Sequence, residues 1–267
     1  MKIQMWREIL DPYSLAVDEL VVKFNHIIDF YRNKGEYSPI EQVTGRVKTI
    51  SSIIEKANKK QIRLESFEEQ IDDIAGVRII CQFVKDIYKV VEIIRARSDM
   101  KIKDEKDYID NIKKSGYRSY HLIVCYNVET LQGTKELQVE IQIRTLAMNF
   151  WSTIEHSLQY KYKQNIPVEI RNRLTSAAKA VLNLDEEMSE VRDDIMEAQN
   201  SFRKKANMVS DILINIQNLY KVADKADVIS IQDEFLDIYQ NGEEEKLVEF
   251  SIKLDKISAA YNAQSLN

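Results

Sequence analysis

Apolar residues recur at helical spacing early in the chain, where Leu15, Leu20, Phe24, Ile27, Ile28 and Tyr31 share one side of a stretch opening at Asp11-Pro12. An aspartate cap followed by proline at the first helical position predicts a helix that starts there and stops near "NKGEYSPI". A second helix is predicted over "TISSIIEKANKK", entered through "TGRVK". The period then changes. "VRIICQF" has the pattern of a buried strand, "KDIYKVVEIIRAR" that of a helix, and "SYHLIVCYNV" and "ELQVEIQIRT" those of two strands joined by a turn at "LQGT". Helices interleaved with strands and closing on two sequential strands imply an α/β or α+β fold, a sheet flanked by helices.

From "IRTLAMNFW" onward the pattern is almost wholly helical. Leu174, Ala177, Val181, Leu184, Met188, Val191, Ile195 and Ala198 alternate steps of three and four, and Leu247, Phe250, Leu254, Ile257 and Tyr261 form a second seam. Each seam requires a partner helix, which intramolecular packing or self-association would supply equally well. The organisation implied is an α/β domain over residues 1–200 and a helical extension over 201–267.

Charge narrows the function classes. A net charge of −5 disfavours a general nucleic-acid coat, because phosphate backbones reward a cationic face, but it permits a local basic pocket. No apolar run approaches the roughly 18 residues of a membrane span, and the N-terminus lacks the apolar core of a secretion signal, so a cytoplasmic location and no membrane partner are expected. Cys81 and Cys125 lie in apolar strand-like runs whose spacing fits no metal knuckle; both are expected as free thiols.

The candidate chemistry gathers at element boundaries. In "GRVKTISSIIEK", Arg46 and Lys48 lead into a helix whose Thr49, Ser52 and Lys56 share a stripe, which suits either a polyphosphate or a solvated basic face; the Walker A pattern is missing. In "IDDIAGVRIICQF", Asp73 stands just ahead of a strand as a hard-oxygen ligand for Mg²⁺ or a simple turn residue, and Arg78 interrupts the strand with a guanidinium able to stack on a base. Alternation in "ELQVEIQIRT" puts Val139, Ile141 and Ile143 on one face and Glu140, Gln142 and Arg144 on the other, so Glu140 is available as a second metal carboxylate or as a base. In "KKSGYRSYHLIV", Lys113 and Lys114 offer phosphate contacts, Tyr117 a stacking ring and His121 a donor. Gly45, Gly76 and Gly116 accompany these clusters, as turn residues or as points of close approach.

Together, "SPIEQVTGRVKTISSIIEKA", "DDIAGVRIICQF", "KDYIDNIKKSGYRSYHLIV" and "VEIQIRTLAMNFWSTIEHSLQYKY" resemble the synthetase domain of RelA/SpoT homologues, most closely the single-domain small alarmone synthetases of the RelQ type, over roughly Trp6 to Gln199. The resemblance implies a nucleotidyltransferase-like mixed sheet that moves the β,γ-pyrophosphate of ATP to the ribose 3′-OH of GDP or GTP, with GMP a further acceptor to test. It implies that Arg46 and Arg78 sandwich the adenine, that Lys48, Ser52 and Lys56 hold the ATP phosphates, and that Asp73 and Glu140 are Mg²⁺ ligands with Glu140 also the base. Tyr117 would stack on guanine, Lys113, His121 and Gln142 would position the acceptor, and Arg144 would support the site. The resemblance implies a homotetramer whose central cleft binds product, with single-stranded RNA a competing ligand to test there, but Val21, Asn25 and Ile28 stand here where cations would serve a product site. His26, His121 and His156 supply no His-Asp pair, so no hydrolase activity is expected. Transfer to an adenine nucleotide or tRNA, and a nucleotide- or RNA-binding regulator without synthesis, are the competing readings.

Overall fold

The computed structural model describes residues 3–63, 66–161, 167–242 and 244–261. The chain divides into two compact units, Met1–Ser189 and Glu190–Asn267, against the boundary at 200 read from the sequence. The division falls inside one long helix.

The first unit opens with α1 (Ile3–Asn33), followed by β1 (Gln42–Val47), α2 (Ile50–Lys60), the short α3 (Phe67–Gln70), β2 (Ala75–Cys81) and α4 (Val84–Arg95). The strands β3 (Met100–Asp107), β4 (Tyr120–Thr130) and β5 (Gly133–Thr145) come next, then α5 (Leu146–Lys161) and α6 (Val168–Val222), whose residues up to Ser189 belong to this unit. The sheet order is β1-β2-β5-β4-β3, with β2 and β5 parallel and the remaining pairs antiparallel. This is the mixed, helix-flanked sheet expected.

Strand alternation divides the sheet into an apolar and a polar face. Val77, Ile79, Val139, Ile141, Ile143, Leu122 and Val124 are buried in one core with Leu20 and Phe24 of α1 and Ile87, Val90 and Ile94 of α4. A Cβ at Gly45 would overlap Val17 and Val21, so glycine is what lets β1 pass this close to α1. The opposite face presents Arg46, Arg78, Glu140, Gln142 and His121.

Three expectations require correction. The first helix begins at Ile3 rather than at Asp11, and Pro12 lies inside it. Trp6 explains this, being 5% exposed with its ring 5.2 Å from that of Phe67. Burying an indole is worth roughly 4–6 kcal/mol, against about 3 kcal/mol for an internal proline. Arg46 belongs to strand β1 rather than to a helix entrance, and α2 begins only after its cap Thr49 accepts a hydrogen bond from the Ser52 N–H. Ile28 turns into the core, at 8% exposure, rather than towards a ligand, and Val21 packs half-buried against the same core.

The second unit is helical. The final part of α6 packs with α7 (Lys225–Asn241) and α8 (Glu244–Ala260) around Ile212, Ile216, Leu219, Val228, Phe235, Leu247, Phe250 and Leu254. The second seam therefore finds its partner within the chain. Leu184, Met188, Val191 and Ile195 of the first seam remain 46–52% exposed. Both cysteines are free thiols, and among the described residues no helix is long and apolar enough to cross a membrane.

Candidate active site

Register brings the polar residues together. Arg46 on β1, Gly76 on β2, Glu140 on β5 and Ile123 on β4 are successive cross-strand partners, and one step along run Thr44, Arg78, Gln142 and His121. Gly76 contributes no side chain between Arg46 and Glu140, which leaves a cleft of ≈ 130 Å³ lined by Arg46, Asp73, Arg78, Glu140 and Gln142 among others. Arg78 Nε is buried in it with no protein partner. An adjoining cleft of ≈ 400 Å³ is lined by Lys56, Asp73, Tyr108, Lys113, His121 and Glu140 among others, so Asp73 and Glu140 face both spaces.

Asp73 is clamped by two lysines, with Lys48 Nζ 2.6 Å from Oδ2 and Lys56 Nζ 2.8 Å from Oδ1. Lys48 is fixed by its own backbone, whose N–H donates to the Ile74 carbonyl. Ser52 is one turn ahead of Lys56, but its hydroxyl is 2.8 Å from that of Thr49 and it lines neither cleft, so it is not yet joined to the lysine pair. Burial pushes the Asp73 carboxyl up, but the hydrogen bonds and charges of Lys48 and Lys56 outweigh it and hold the carboxyl below its ordinary range.

Glu140 is part of a closed ring of hydrogen bonds. Arg144 donates to the Tyr117 hydroxyl at 2.6 Å, Tyr117 Oη is 2.7 Å from His121 Nε2, and His121 Nδ1 is 2.9 Å from Glu140 Oε1. Gln142 Nε2 donates to Glu140 Oε2 at 2.8 Å, and Arg144 donates to Gln142 Oε1 at 2.8 Å, closing the ring. Every donor meets an acceptor if His121 carries a proton on Nδ1 and accepts from Tyr117 on Nε2. Burial pushes the Glu140 carboxyl up, but the His121 contact, helped by Gln142, brings it below its ordinary value. Both candidate carboxylates are therefore ionised at neutral pH.

The sign of these shifts fixes a pH dependence. A depressed folded-state value stabilises the protein above the unfolded carboxylate value of about 4 and is lost as pH falls through the lower folded value. The thermal midpoint of the wild type is therefore expected to fall more steeply than that of Asp73→Asn between about pH 5 and pH 2. Parallel curves from scanning fluorimetry would show that the lysine clamp gives Asp73 no such linkage.

Tyr108 is the site residue that sequence reasoning overlooked. Its ring meets His121 edge-on at 5.2 Å and Tyr117 at 6.1 Å, and Lys113 Nζ lies 4.1 Å from the Tyr108 centroid and 4.9 Å from that of Tyr117. The available signal was an aromatic immediately after the charged run "DEKD", which is the end of β3. The structure thus assembles Arg46, Arg78, Asp73, Lys48, Lys56, Glu140, His121, Gln142, Arg144, Tyr117 and Lys113 on one face and leaves Ser52 beside it.

A mixed sheet with a polar face of paired carboxylates, lysines and an aromatic shelf defines a class, the nucleotide-handling α/β proteins. Comparison with known proteins narrows it. Residues 45–165 match the family model described as the region found in RelA / SpoT proteins. The GTP pyrophosphokinase YjbM of Bacillus subtilis is 53% identical over 205 residues, 77% of this chain and 97% of that relative; the GTP pyrophosphokinase YwaC of the same organism is 39% identical over 192 residues, 71% and 91% of the two chains. Among solved structures, the B. subtilis small alarmone synthetase 1 bound to its product pppGpp superposes with a TM-score of 0.70 at 54% identity, covering 72% of this chain and 98% of that one. A GTP pyrophosphokinase family protein from Streptococcus pneumoniae gives 0.71 at 53% identity, covering 74% and 98%. The chain belongs to the RelA/SpoT family of enzymes, among the small alarmone synthetases.

Proposed function

We propose that this chain transfers the β,γ-pyrophosphate of ATP to the ribose 3′-OH of GDP or GTP, releasing AMP and forming the alarmone (p)ppGpp. The observation that carries the reading is the closed ring that joins the carboxylate of Glu140 to the ring of Tyr117 through His121. It couples a base to a stacking surface within one rigid network, as transfer to a nucleoside hydroxyl requires.

In this reading the adenine lies between Arg46 and Arg78, where Gly76 leaves room and Arg78 Nε awaits an acceptor. Lys48 and Lys56 turn from Asp73 to the ATP phosphates, with Ser52 and the first turn of α2 beside them. The guanine stacks on Tyr117 as the flexible Lys113 side chain moves off the ring, and His121 and Gln142 hold the ribose. Glu140 takes the 3′-OH proton, the 3′-oxygen attacks the β-phosphorus, and the bond from that phosphorus to the α,β-bridging oxygen breaks to leave AMP. Little covalent chemistry falls to the protein, so positioning and charge carry the rate.

Asp73 and Glu140 fit Mg²⁺, which accepts one or two carboxylates and takes its other ligands from phosphates and water; the described residues hold no cluster of three metal-binding side chains that would suit a protein-only cage. When bound, the ion would neutralise charge on the polyphosphate. Self-association belongs to the same reading, supported by an apolar groove of ≈ 640 Å³ on the first unit where Leu146, Phe150, Leu184 and Met188 are 46–66% exposed.

The test incubates the protein with Mg²⁺, ATP and each of GMP, GDP, GTP and ADP and separates the products by anion exchange. AMP rising in step with a guanosine 3′-pyrophosphate is the expected result. Pyrophosphorylated ADP would change the acceptor, and AMP with no acceptor would overturn the transfer.

A further inference from the structure

The loop that carries Lys113 and Tyr117 leaves β3 through that strand's last residue, Asp107. Asp107 Oδ1 accepts from the Ile109 N–H at 2.7 Å and from the Asp110 N–H at 3.1 Å, and the Asp107 carbonyl accepts from the Asn111 N–H at 3.3 Å. An aspartate that holds the backbone two and three residues ahead sets the direction in which the chain departs. Ile109 anchors the turn in the core at 7% exposure, and the Tyr108 N–H donates to the Ser119 carbonyl at 3.0 Å, closing the loop at its base. Tyr108, between these two anchors, is thereby aimed at His121 and Tyr117.

The second oxygen of Asp107 is held from outside the loop. The Tyr88 hydroxyl of α4 is 3.2 Å from Asp107 Oδ2 and 3.1 Å from Asp110 Oδ1. A phenol carries one hydrogen, so a single donor stands between two carboxylates that would otherwise repel across the gap. Burial and the two neighbouring charges push proton loss from this hydroxyl up, so it remains a donor. The ring is fixed independently, meeting Tyr120 edge-on at 6.0 Å, and Tyr120 precedes His121 on β4. Tyr88 itself lines neither cleft around Glu140.

We propose that Tyr88 is a positioning residue for the acceptor: by bridging Asp107 and Asp110, its hydroxyl holds the loop in the arrangement in which Tyr108, Lys113 and Tyr117 receive a base. The inference rests on the acceptor pose under the proposed function. Without the hydroxyl the two carboxylates repel, the turn opens, and the receptive arrangement becomes a fraction of the population. Acceptor affinity falls by that fraction, whereas ATP, placed against β1, β2 and α2, meets unchanged groups.

The test compares wild type, Tyr88→Phe and Tyr88→Phe/Asp110→Asn, measuring KM for GTP and for ATP by AMP release. Tyr88→Phe keeps the ring packing and removes only the oxygen. Its KM for GTP is expected to rise about 5- to 10-fold, while KM for ATP and kcat at saturating GTP change by less than about twofold. Asp110→Asn in that background removes one of the two charges and supplies an amide donor, and should return KM for GTP to within about twofold of wild type. An unchanged KM for GTP in Tyr88→Phe, an equal rise for ATP, or a rise that Asp110→Asn leaves in place overturns the positioning role. Absence of AMP with every acceptor in the wild type is a different failure, that of the proposed function, and it is seen before either variant is compared.

Discussion

Glu140→Gln is expected to lower pyrophosphate transfer by about 10²–10⁴-fold while the protein remains folded. The substitution preserves shape but changes what the oxygens can do. Glu140 accepts from His121 at Oε1 and from Gln142 at Oε2, and an amide in its place accepts from one and confronts the other with a donor. Turning the Gln142 amide to relieve that conflict would set its NH₂ against Arg144, which now donates to its oxygen. The variant therefore loses the proton acceptor, loses a carboxylate fit for Mg²⁺ and frustrates the ring that orients Tyr117. Glu140→Asp keeps the charge but withdraws it from His121, so it should fall between the two. The check is AMP formation at saturating ATP and GTP, with circular dichroism to establish folding. A folded Glu140→Gln enzyme within about tenfold of wild type would remove Glu140 from the chemistry.

What the sequence revealed and what it concealed follow from where each residue lies in the sheet. β2, β4 and β5 are interior strands, and their apolar faces made them legible. β1 and β3 are the two edges; "QVTGRV" is interrupted by Gly45 and "MKIKDEKD" carries the charges that protect an edge from pairing. Overlooking β1 put Arg46 at a helix entrance, and overlooking β3 hid Tyr108. The candidate residues were nominated in spite of these errors because cations, carboxylates and aromatics between apolar runs are conspicuous in the sequence. The ring through Glu140 was not legible, since it depends on Gln142 standing opposite His121 across β4 and β5. Seam partners were equally hidden, because a heptad pattern names no partner, whereas in the fold α8 is covered and Leu184 is open.

The largest stability effect is expected at Arg118 and Asp185, a pair 67 residues apart that sequence reasoning could not have joined. Both side chains are buried, at 6% and 4% exposure, and Arg118 Nε has no partner. Burial pushes the Asp185 carboxyl up against the pull of Thr145 and Arg118, so the ion pair only partly offsets its desolvation. Asp185→Ala leaves a guanidinium buried without its counter-ion and should cost about 3–5 kcal/mol. For a domain of this size that lowers the thermal midpoint by roughly 6–20 °C. Arg118→Met/Asp185→Leu removes both charges and fills the space with apolar groups, which should recover most of the loss or exceed the wild type. Thermal melts of Arg118→Met, of Asp185→Leu and of the double form the cycle. A double variant as unstable as Asp185→Leu would mean that packing, rather than the stranded charge, sets the cost. Recovery of stability without recovery of acceptor KM would show that the pair also fixes the direction of Tyr117, which precedes Arg118 in the chain and must meet a base at a defined angle.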